Sequence, residues 1–160
     1  MKIQIQLRDK EASIPAYATK GSVGFDLIAN NFKAYYNTGN DIIENIPGNV
    51  ACMHPRSRLH IGCGFKLAIP EGYELQIRPR SGLALKQGIT VLNSPGTIDS
   101  DYRGEIGVVL INHSHNIVKI TIGDKIAQAI LSKIEIAEFE LYKELNTTIR
   151  GEGGFGSTGK

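Results

Sequence analysis

Apolar and polar residues alternate along most of this chain, and this period of two constrains the fold more than any other feature. The stretch Ile3-Gln4-Ile5-Gln6-Leu7 is typical of a strand with one buried face, because successive side chains of a strand point to opposite faces. The other segments with strand patterns are 25–28, 65–69, 73–77, 89–92, 106–111, 118–122, 127–131 and 134–141. Pro-Gly and Gly-Asp turn signals separate many of them. Many short strands at regular spacing predict an all-β antiparallel sandwich or barrel.

Two segments depart from this pattern. Residues 82–87 are the only candidate for a helix, of about two turns. The segment from Asn30 to Arg58 is the least regular and is rich in Asn, Gly and Tyr. We interpret it as a long loop or an extra hairpin arm.

Length and charge narrow the class of protein. A chain of 160 residues makes one domain with enough material for a core. Its 18 basic and 16 acidic residues give a net charge of +2, which is too balanced for bulk nucleic-acid binding. No apolar run is long enough to span a membrane, and the first ten residues lack the apolar core of a signal peptide. We therefore expect a cytoplasmic protein without a nucleic-acid or membrane partner.

Four possible zinc ligands, Cys52, His54, His60 and Cys63, lie within twelve residues. Their spacing does not match the usual structural zinc patterns. We favour two ordinary cysteines with two histidines nearby over a metal site, and a disulfide is not expected in a reducing compartment.

The densest polar cluster is LNSPGTIDSDYRGEIG at 92–107. A hairpin here would present alternate side chains to one pocket, and strict alternation would place Asp99 and Asp101 on the same face. A buried carboxylate could activate a water as a general base. The alternative is a polar hairpin tip, which this segment by itself favours.

A second cluster, RPRSGLA at 78–84, follows a strand directly. Arg80 and Ser81 precede Gly82 at the start of the predicted helix, where free N–H groups and a guanidinium favour an anion. The alternative role for Ser81 is a helix N-cap. The similar stretch HPRSRL at 54–59 lacks the glycine, and we attribute it to chance.

Three further stretches carry isolated polar groups. Asp26 lies inside the apolar stretch GFDLI, so its carboxylate is expected to be paired or to serve a metal. Gln128 lies in the apolar stretch KIAQAIL, where a buried amide needs a partner. The last residues, GEGGFGSTGK after Arg150, match the glycine spacing of a dinucleotide-binding fingerprint. The match is not meaningful, because the fingerprint requires a strand before it and a helix after it. These last residues offer backbone N–H groups, hydroxyls and the ring of Phe155, and the alternative is a disordered tail.

In their order along the chain, GFDL, RPRSGLA, TIDSDYRGE, GDKIAQ and RGEGGFGSTG closely resemble the five motifs of the trimeric deoxyuridine triphosphatase (dUTPase) family. The resemblance runs from about residue 21 to residue 160. It implies a jelly-roll-like antiparallel fold with one short helix, in a domain of residues 1–149, followed by a mobile glycine-rich lid arm at 150–160. It also implies a homotrimer with active sites shared between subunits.

The activity that the resemblance implies is hydrolysis of dUTP to dUMP and pyrophosphate with Mg²⁺, which keeps uracil out of DNA and supplies dUMP for dTTP synthesis. Asp99 resembles the general base that activates water for in-line attack on the α-phosphorus. Tyr102 resembles the ring that packs against deoxyribose and leaves no room for a 2′-hydroxyl.

The remaining roles are implied in the same way. Asn93 and the backbone of Gly96, Thr97 and Ile98 would bind the uracil edge, and Asp26 would hold magnesium through water. The groups implied for the phosphate chain are Arg80, Ser81, Gly82 and Gln128. In the tail, the groups implied for the γ-phosphate end and the uracil face are Arg150, Phe155, Gly156, Ser157 and Thr158.

The sequence departs from the family pattern at several positions. Phe25 replaces a frequent tyrosine, Lys125 replaces a frequent arginine, and Ser94-Pro95 precedes the glycine of the third motif. More residues separate Asp26 from Arg80 along the chain than the family pattern leads us to expect. The extra residues are placed in an inserted arm at about 35–60, with a possible role in assembly or in binding a protein partner.

Two rival functions stay open. A dCTP deaminase, or a bifunctional deaminase–dUTPase, would use Glu105 as its acid/base, and a non-catalytic binding or regulatory protein would keep only the fold.

Overall fold

The computed structural model describes residues 1–36, 42–44, 46–155 and 157. Its strands, in chain order, are β1 (Gln4–Leu7), β2 (Phe25–Ile28), β3 (Asn31–Tyr36), β4 (Ile42–Glu44), β5 (Val50–Met53), β6 (Arg58–Gly62), β7 (Phe65–Ala68), β8 (Tyr73–Arg78), β9 (Ile89–Val91), β10 (Gly96–Ile98), β11 (Gly107–Asn112), β12 (Val118–Thr121) and β13 (Lys125–Lys133). One helix, α1 (Ser81–Gln87), lies between β8 and β9. The predicted all-β class with one short helix is confirmed.

The strands form antiparallel sheets around one core. The larger sheets have the orders β10-β8-β13-β2 and β4-β3-β6-β11-β9, and β1 with β7 and β12 with β5 form two smaller ones. Burial alternates along β11 and β2, so one face of each strand enters the core. Leu27 and Leu75 of the four-stranded sheet join the same buried cluster as Leu59 and Leu110 of the five-stranded sheet. This arrangement is a two-layer sandwich.

Most of the predicted strands are present within a residue or two of their expected bounds, but the strand predicted at 134–141 is wrong. β13 ends at Lys133, and Ile134 makes the last backbone contact with the sheet by donating to the Gly72 carbonyl at 3.0 Å. Beyond it, Ile136, Phe139 and Leu141 are at least 81% exposed. The alternation there is real, but within the described residues no strand edge pairs with it.

The interpretation of residues 30–58 as a long loop is wrong, because β3, β4 and β5 lie in it. The hairpin alternative fits β3 and β4, which pair with each other, although their connection at 37–41 lies outside the described residues. β3 also pairs with β6 and buries Phe32 and Ala34. The start of this segment is therefore part of the sandwich.

The 92–107 cluster is not a regular hairpin. β9 pairs with β11 in the five-stranded sheet, whereas β10 pairs with β8 in the four-stranded sheet. The turn at 92–95 therefore carries the chain from one layer to the other. Because β10 ends at Ile98 and a turn follows, the strict alternation that would align Asp99 with Asp101 does not continue.

Among the described residues, no helix is long and apolar enough to cross a membrane.

Candidate active site

One cleft of about 600 Å³ brings together the predicted site residues of the first, second and fourth motifs: Asp26, Arg80, Ser81, Gly82 and Gln128. The strand register explains why they meet. Gln128 of β13 lies opposite Asp26 of β2 on one side and opposite Arg78 of β8 on the other. Since Arg80 follows β8 by two residues, the same end of the sheet carries the start of α1.

The charges of this cleft are paired around Asp26. Its Oδ1 lies 3.1 Å from Arg80 Nε, and its Oδ2 lies 2.8 Å from Lys125 Nζ. Arg80 Nη1 also donates to the Lys125 carbonyl at 3.1 Å. The sequence predicted that Asp26 is either paired or serves a metal, and the structure shows it paired with two cations. Two basic groups oriented by one carboxylate suit a polyanionic ligand.

The start of α1 lies at the floor of the cleft. The N-cap residue is Arg80, and no side chain caps the helix, so Ser81 is the first helical residue and the N-cap alternative for it is wrong. No residue of the helix is buried. Gln128 Nε2 donates to the Pro79 carbonyl at 2.9 Å, which fixes the amide beside the helix start.

The residues predicted for the base and the sugar lie around β10. Asn93 packs against Gly96, where a Cβ would come within 3.3 Å of Asn93 Nδ2. Asp99 is exposed and makes no side-chain hydrogen bond or ion pair within the described residues, so Asp99 is not a buried carboxylate in a single chain. Tyr102 N donates to the Asp99 carbonyl at 3.2 Å, and Tyr102 is 43% exposed.

The described part of the C-terminal tail contacts mainly itself. Arg150 Nε donates to the Gly153 carbonyl at 2.8 Å, and Ser157 N donates to the Gly154 carbonyl at 3.0 Å. The Phe155 side chain is fully exposed and its φ is +48°. Gly156 and Thr158 lie outside the described residues.

Within the described residues of a single chain, Asp99 and Arg80 do not lie together. Ile98 pairs with Leu75, so Asp99 lies off one end of the β8–β10 ladder, whereas Arg80 lies off the other end. Six residues of extended chain correspond to roughly 20 Å. Within one chain, the backbones of Asp99 and Arg80 are therefore separated by roughly this distance.

The structure also shows polar residues in or near the site that the five motifs did not predict. Lys33 and Asn31 of β3 bind the carboxylate of Glu105, at 2.8 and 2.9 Å. Lys86 lines the same cleft as Arg80. Lys125 lies within the fourth motif, GDKIAQ, where its departure from the frequent arginine already distinguishes it, but nothing in the sequence connects β3 with Glu105.

The possible zinc ligands do not assemble. Among the described residues, no three His, Cys, Asp or Glu side chains are grouped to hold a metal. Cys52 is exposed and Cys63 is buried, and both are free thiols. Burial, with a smaller contribution from the charge of Glu105, raises the pKa of the Cys63 thiol to about 12.

Comparison with known proteins decides the family. A model of the dUTPase family matches residues 47–159. The chain belongs to the dUTPase family. It is 50% identical over its whole length to a deoxyuridine 5′-triphosphate nucleotidohydrolase of Nautilia profundicola, which it also covers completely. A protein of the same name from Wolinella succinogenes is 49% identical over 160 residues, which are all of this chain and 95% of that protein.

Solved dUTPase structures share the fold. The dUTPase of Staphylococcus bacteriophage 80alpha with dUpNHpp superposes with a TM-score of 0.79 over 99% of both chains at 22% identity. A variant of the phage phi11 dUTPase, with a described structural Mg(II) ion, gives 0.71 over 90% of this chain and 98% of that one at 20% identity. The jelly-roll-like fold of this chain is thus that of dUTPases.

Asp26 is the carboxylate of the cleft that the sequence predicts for Mg²⁺. Magnesium usually keeps several waters and is held by one or two carboxylates together with substrate phosphates, rather than by an all-protein cage. Because both oxygens of Asp26 are paired with cations, this carboxylate suits a contact through water better than direct ligation.

Proposed function

We propose that this chain hydrolyses dUTP to dUMP and pyrophosphate, at sites that combine the Arg80 cleft of one copy with the Asp99 loop of another. Membership of the dUTPase family and the paired cations around Asp26 support the proposal. The observation that carries it is the cleft, which gathers three of the five motifs at the start of α1. The reaction keeps uracil out of DNA and supplies dUMP for dTTP synthesis.

The phosphate chain binds in the Arg80 cleft. Arg80 is held by Asp26, so its remaining N–H groups are oriented before the substrate arrives. The uncapped first turn at Ser81 and Gly82 adds backbone N–H donors, and Gln128 lies beside it. Magnesium, when bound, would supply positive charge to the phosphate oxygens and to the leaving group, with Asp26 accepting a hydrogen bond from one of its waters.

The chemical step uses Asp99. Its carboxylate orients a water and takes a proton from it, as the water oxygen bonds to the α-phosphorus. The bond from the α-phosphorus to the bridging oxygen breaks, and its electrons leave with pyrophosphate. The exposure of Asp99 in one chain leaves it accessible to a substrate held by another.

The base and the sugar bind near β10. Asn93 and the backbone of Gly96, Thr97 and Ile98 would pair with the uracil edge, and a wrong edge would leave buried groups unpaired. The ring of Tyr102 would pack on deoxyribose. The tail would close the site, with Arg150, Ser157 and Thr158 at the phosphates and Phe155 and Gly156 over uracil, because a glycine-rich arm can order on binding and exclude water.

A homotrimer is the assembly we propose. The segment after β13 supports it, since Ile136, Phe139, Leu141 and Leu145 are all at least 81% exposed. Exposed apolar side chains in one continuous segment mark an interaction surface, and the separation of Asp99 from Arg80 within one chain favours a site that another copy completes. A cytoplasmic location and a protein partner for residues 30–60 are further proposals from the sequence.

The contacts of Glu105 weigh against the deaminase alternative. Its carboxylate is tied by Lys33, Asn31 and Gly64, which leaves it poorly placed to exchange protons with a base. The non-catalytic alternative is weakened by the gathering of the phosphate residues in one cleft.

Pyrophosphate release with magnesium from dUTP, dCTP, dTTP and UTP tests the function. We expect release from dUTP alone. Ammonia release from dCTP would favour the deaminase, and no turnover of any nucleotide by the folded protein would favour a binding protein.

A further inference from the structure

The Glu105 carboxylate joins three parts of the chain. Lys33 Nζ lies 2.8 Å from Oε2, while Asn31 Nδ2 and the backbone N–H of Gly64 both donate to Oε1 at 2.9 Å. The Glu105 side chain is only 9% exposed. A nearly buried carboxylate with every oxygen occupied is held in one position, because losing a partner would leave a buried charge uncompensated.

The packing around this group is tight. A Cβ on Gly62 would lie 2.6 Å from Asn31 Oδ1 and 2.8 Å from Lys33 Cε, so β6 has room for no side chain there. Burial by itself raises the pKa of the Glu105 carboxyl, but the hydrogen bonds from Lys33, Asn31 and Gly64 outweigh it and hold the pKa below its ordinary value. Glu105 is therefore ionised near neutral pH.

The same residue holds Tyr102 through its backbone. Tyr102 Oη donates to the Glu105 carbonyl at 3.2 Å. The Tyr102 ring lies over Gly104, where any Cβ would overlap it. Arg103 Nη1 donates to the Ser100 carbonyl at 2.7 Å and to the Tyr102 carbonyl at 2.9 Å, which closes the loop from the other side. The Glu105 carbonyl thus holds the Tyr102 hydroxyl, and Arg103 ties the backbone of the same loop.

We propose that Glu105 is a positioning residue for Tyr102, and that Lys33 and Asn31 of β3, by fixing Glu105, set the preference for 2′-deoxyribose over ribose. This inference rests on the proposed function, because it takes Tyr102 as the ring that meets the sugar. The proposal gives a role to Asn31 and Lys33, which lie in the irregular segment 30–58 that the motifs leave unexplained.

The effect should fall on sugar selection rather than on phosphate chemistry. Exclusion of a hydroxyl by a ring depends on its position to within a fraction of an ångström, because repulsion rises steeply at contact distance. Lys33 is not among the residues that line the Arg80 cleft. Loosening the Glu105 anchor therefore admits UTP more than it slows dUTP.

The test compares kcat/KM for dUTP and for UTP in Lys33→Met. We expect the dUTP-to-UTP ratio to fall roughly tenfold, with kcat for dUTP reduced less than about threefold. Lys10→Met, an exposed lysine outside this network, is the matched control and should leave the ratio unchanged. Lys33→Arg keeps the charge and should restore most of the ratio.

Two further variants complete the design. Glu105→Gln should lower the ratio by a similar factor, and the Lys33→Met/Glu105→Gln double variant should lower it no further, because both changes break one interaction. Lys33→Gln replaces Lys33→Met if the latter does not fold. Tyr102→Ala establishes that the ring selects the sugar.

The outcomes separate the two proposals. If wild type hydrolyses dUTP and Tyr102→Ala loses selectivity, but folded Lys33 variants keep the wild-type ratio, the positioning role is overturned and the function stands. If the wild type does not hydrolyse dUTP, the proposed function fails and the positioning role fails with it.

Discussion

Asp26 Oδ1 lies 3.1 Å from Arg80 Nε, which ties strand β2 to the N-cap residue of helix α1. The other oxygen of Asp26 binds Lys125 Nζ at 2.8 Å. One carboxylate thus fixes two cations, one at the N-cap of α1 and the other at the start of β13. The Asp26 side chain is 20% exposed, so the group is accessible to a ligand in the cleft.

Asp26→Asn should lower kcat/KM for dUTP by roughly ten- to a hundredfold, because an amide loses the charge that orients Arg80 and Lys125. The required magnesium concentration should rise as well. Steady-state pyrophosphate release over a magnesium titration measures both effects. Glu71→Gln, a change of the same kind in an exposed turn, is the control and should behave as wild type.

Asp99→Asn should reduce kcat by roughly 10²–10⁴-fold, the range for loss of a general base. Thermal stability should stay close to wild type, because Asp99 is exposed and has no side-chain partner within the described residues. Affinity for a non-hydrolysable dUTP analogue, measured by calorimetry, should change little. A variant that turns over dUTP normally would remove Asp99 from the mechanism.

The sequence predicted the sandwich well because alternation is a local property. β2 and β11 bury every second residue, and the pattern predicts their bounds to within one residue. The segment at 134–141 has the same alternation and is not a strand, since pairing depends on a neighbouring edge, and the described residues of this chain do not offer it one. In the irregular segment, β3 is a strand because it pairs with β6, and no local pattern reports that pairing.

For the site, the motifs predicted residue types but not how they meet. Asp26, Arg80 and Gln128 come together through strand register, which the sequence does not contain. The register of β10 on β8 places Asp99 and Arg80 off opposite ends of that ladder, which no motif indicates. The anchoring of Glu105 by Lys33 depends on three elements that are distant in sequence.

The two cysteines should differ sharply in reactivity. Burial raises the pKa of the Cys63 thiol to about 12, so almost no thiolate forms there, whereas Cys52 is exposed. Titration of the native protein with a thiol reagent at pH 8 should label Cys52 alone, and both should react in denaturant. Cys52→Ser is the control that should abolish native labelling. Rapid labelling of both thiols in the native protein would contradict the burial of Cys63.

Acid should destabilise the fold through His60. Burial, with the charge of Lys33, lowers the pKa of this imidazole despite the opposing charge of Glu105. The unfolded chain then binds a proton more readily than the folded one, so stability is lost as pH falls below the ordinary histidine value of about 6.5. Denaturant unfolding between pH 8 and pH 5, at one protein concentration, should show a shallower decline in His60→Gln than in wild type. His115→Gln, an exposed histidine, should leave the slope unchanged.

Mixed assemblies test whether sites are shared. Asp99 and Arg80 lie at opposite ends of the β8–β10 ladder, roughly 20 Å apart, so each site should take Asp99 from one copy and Arg80 from another. Asp99→Asn and Arg80→Ala should each be nearly inactive alone. When the two are unfolded, mixed in equal amounts and refolded together, roughly a quarter of the sites should regain both groups, and activity should return in proportion. Refolding each variant separately before mixing is the control and should give no activity. If the co-refolded mixture stays inactive while mass measurements show mixed trimers, both groups act within one chain, and the shared site is excluded.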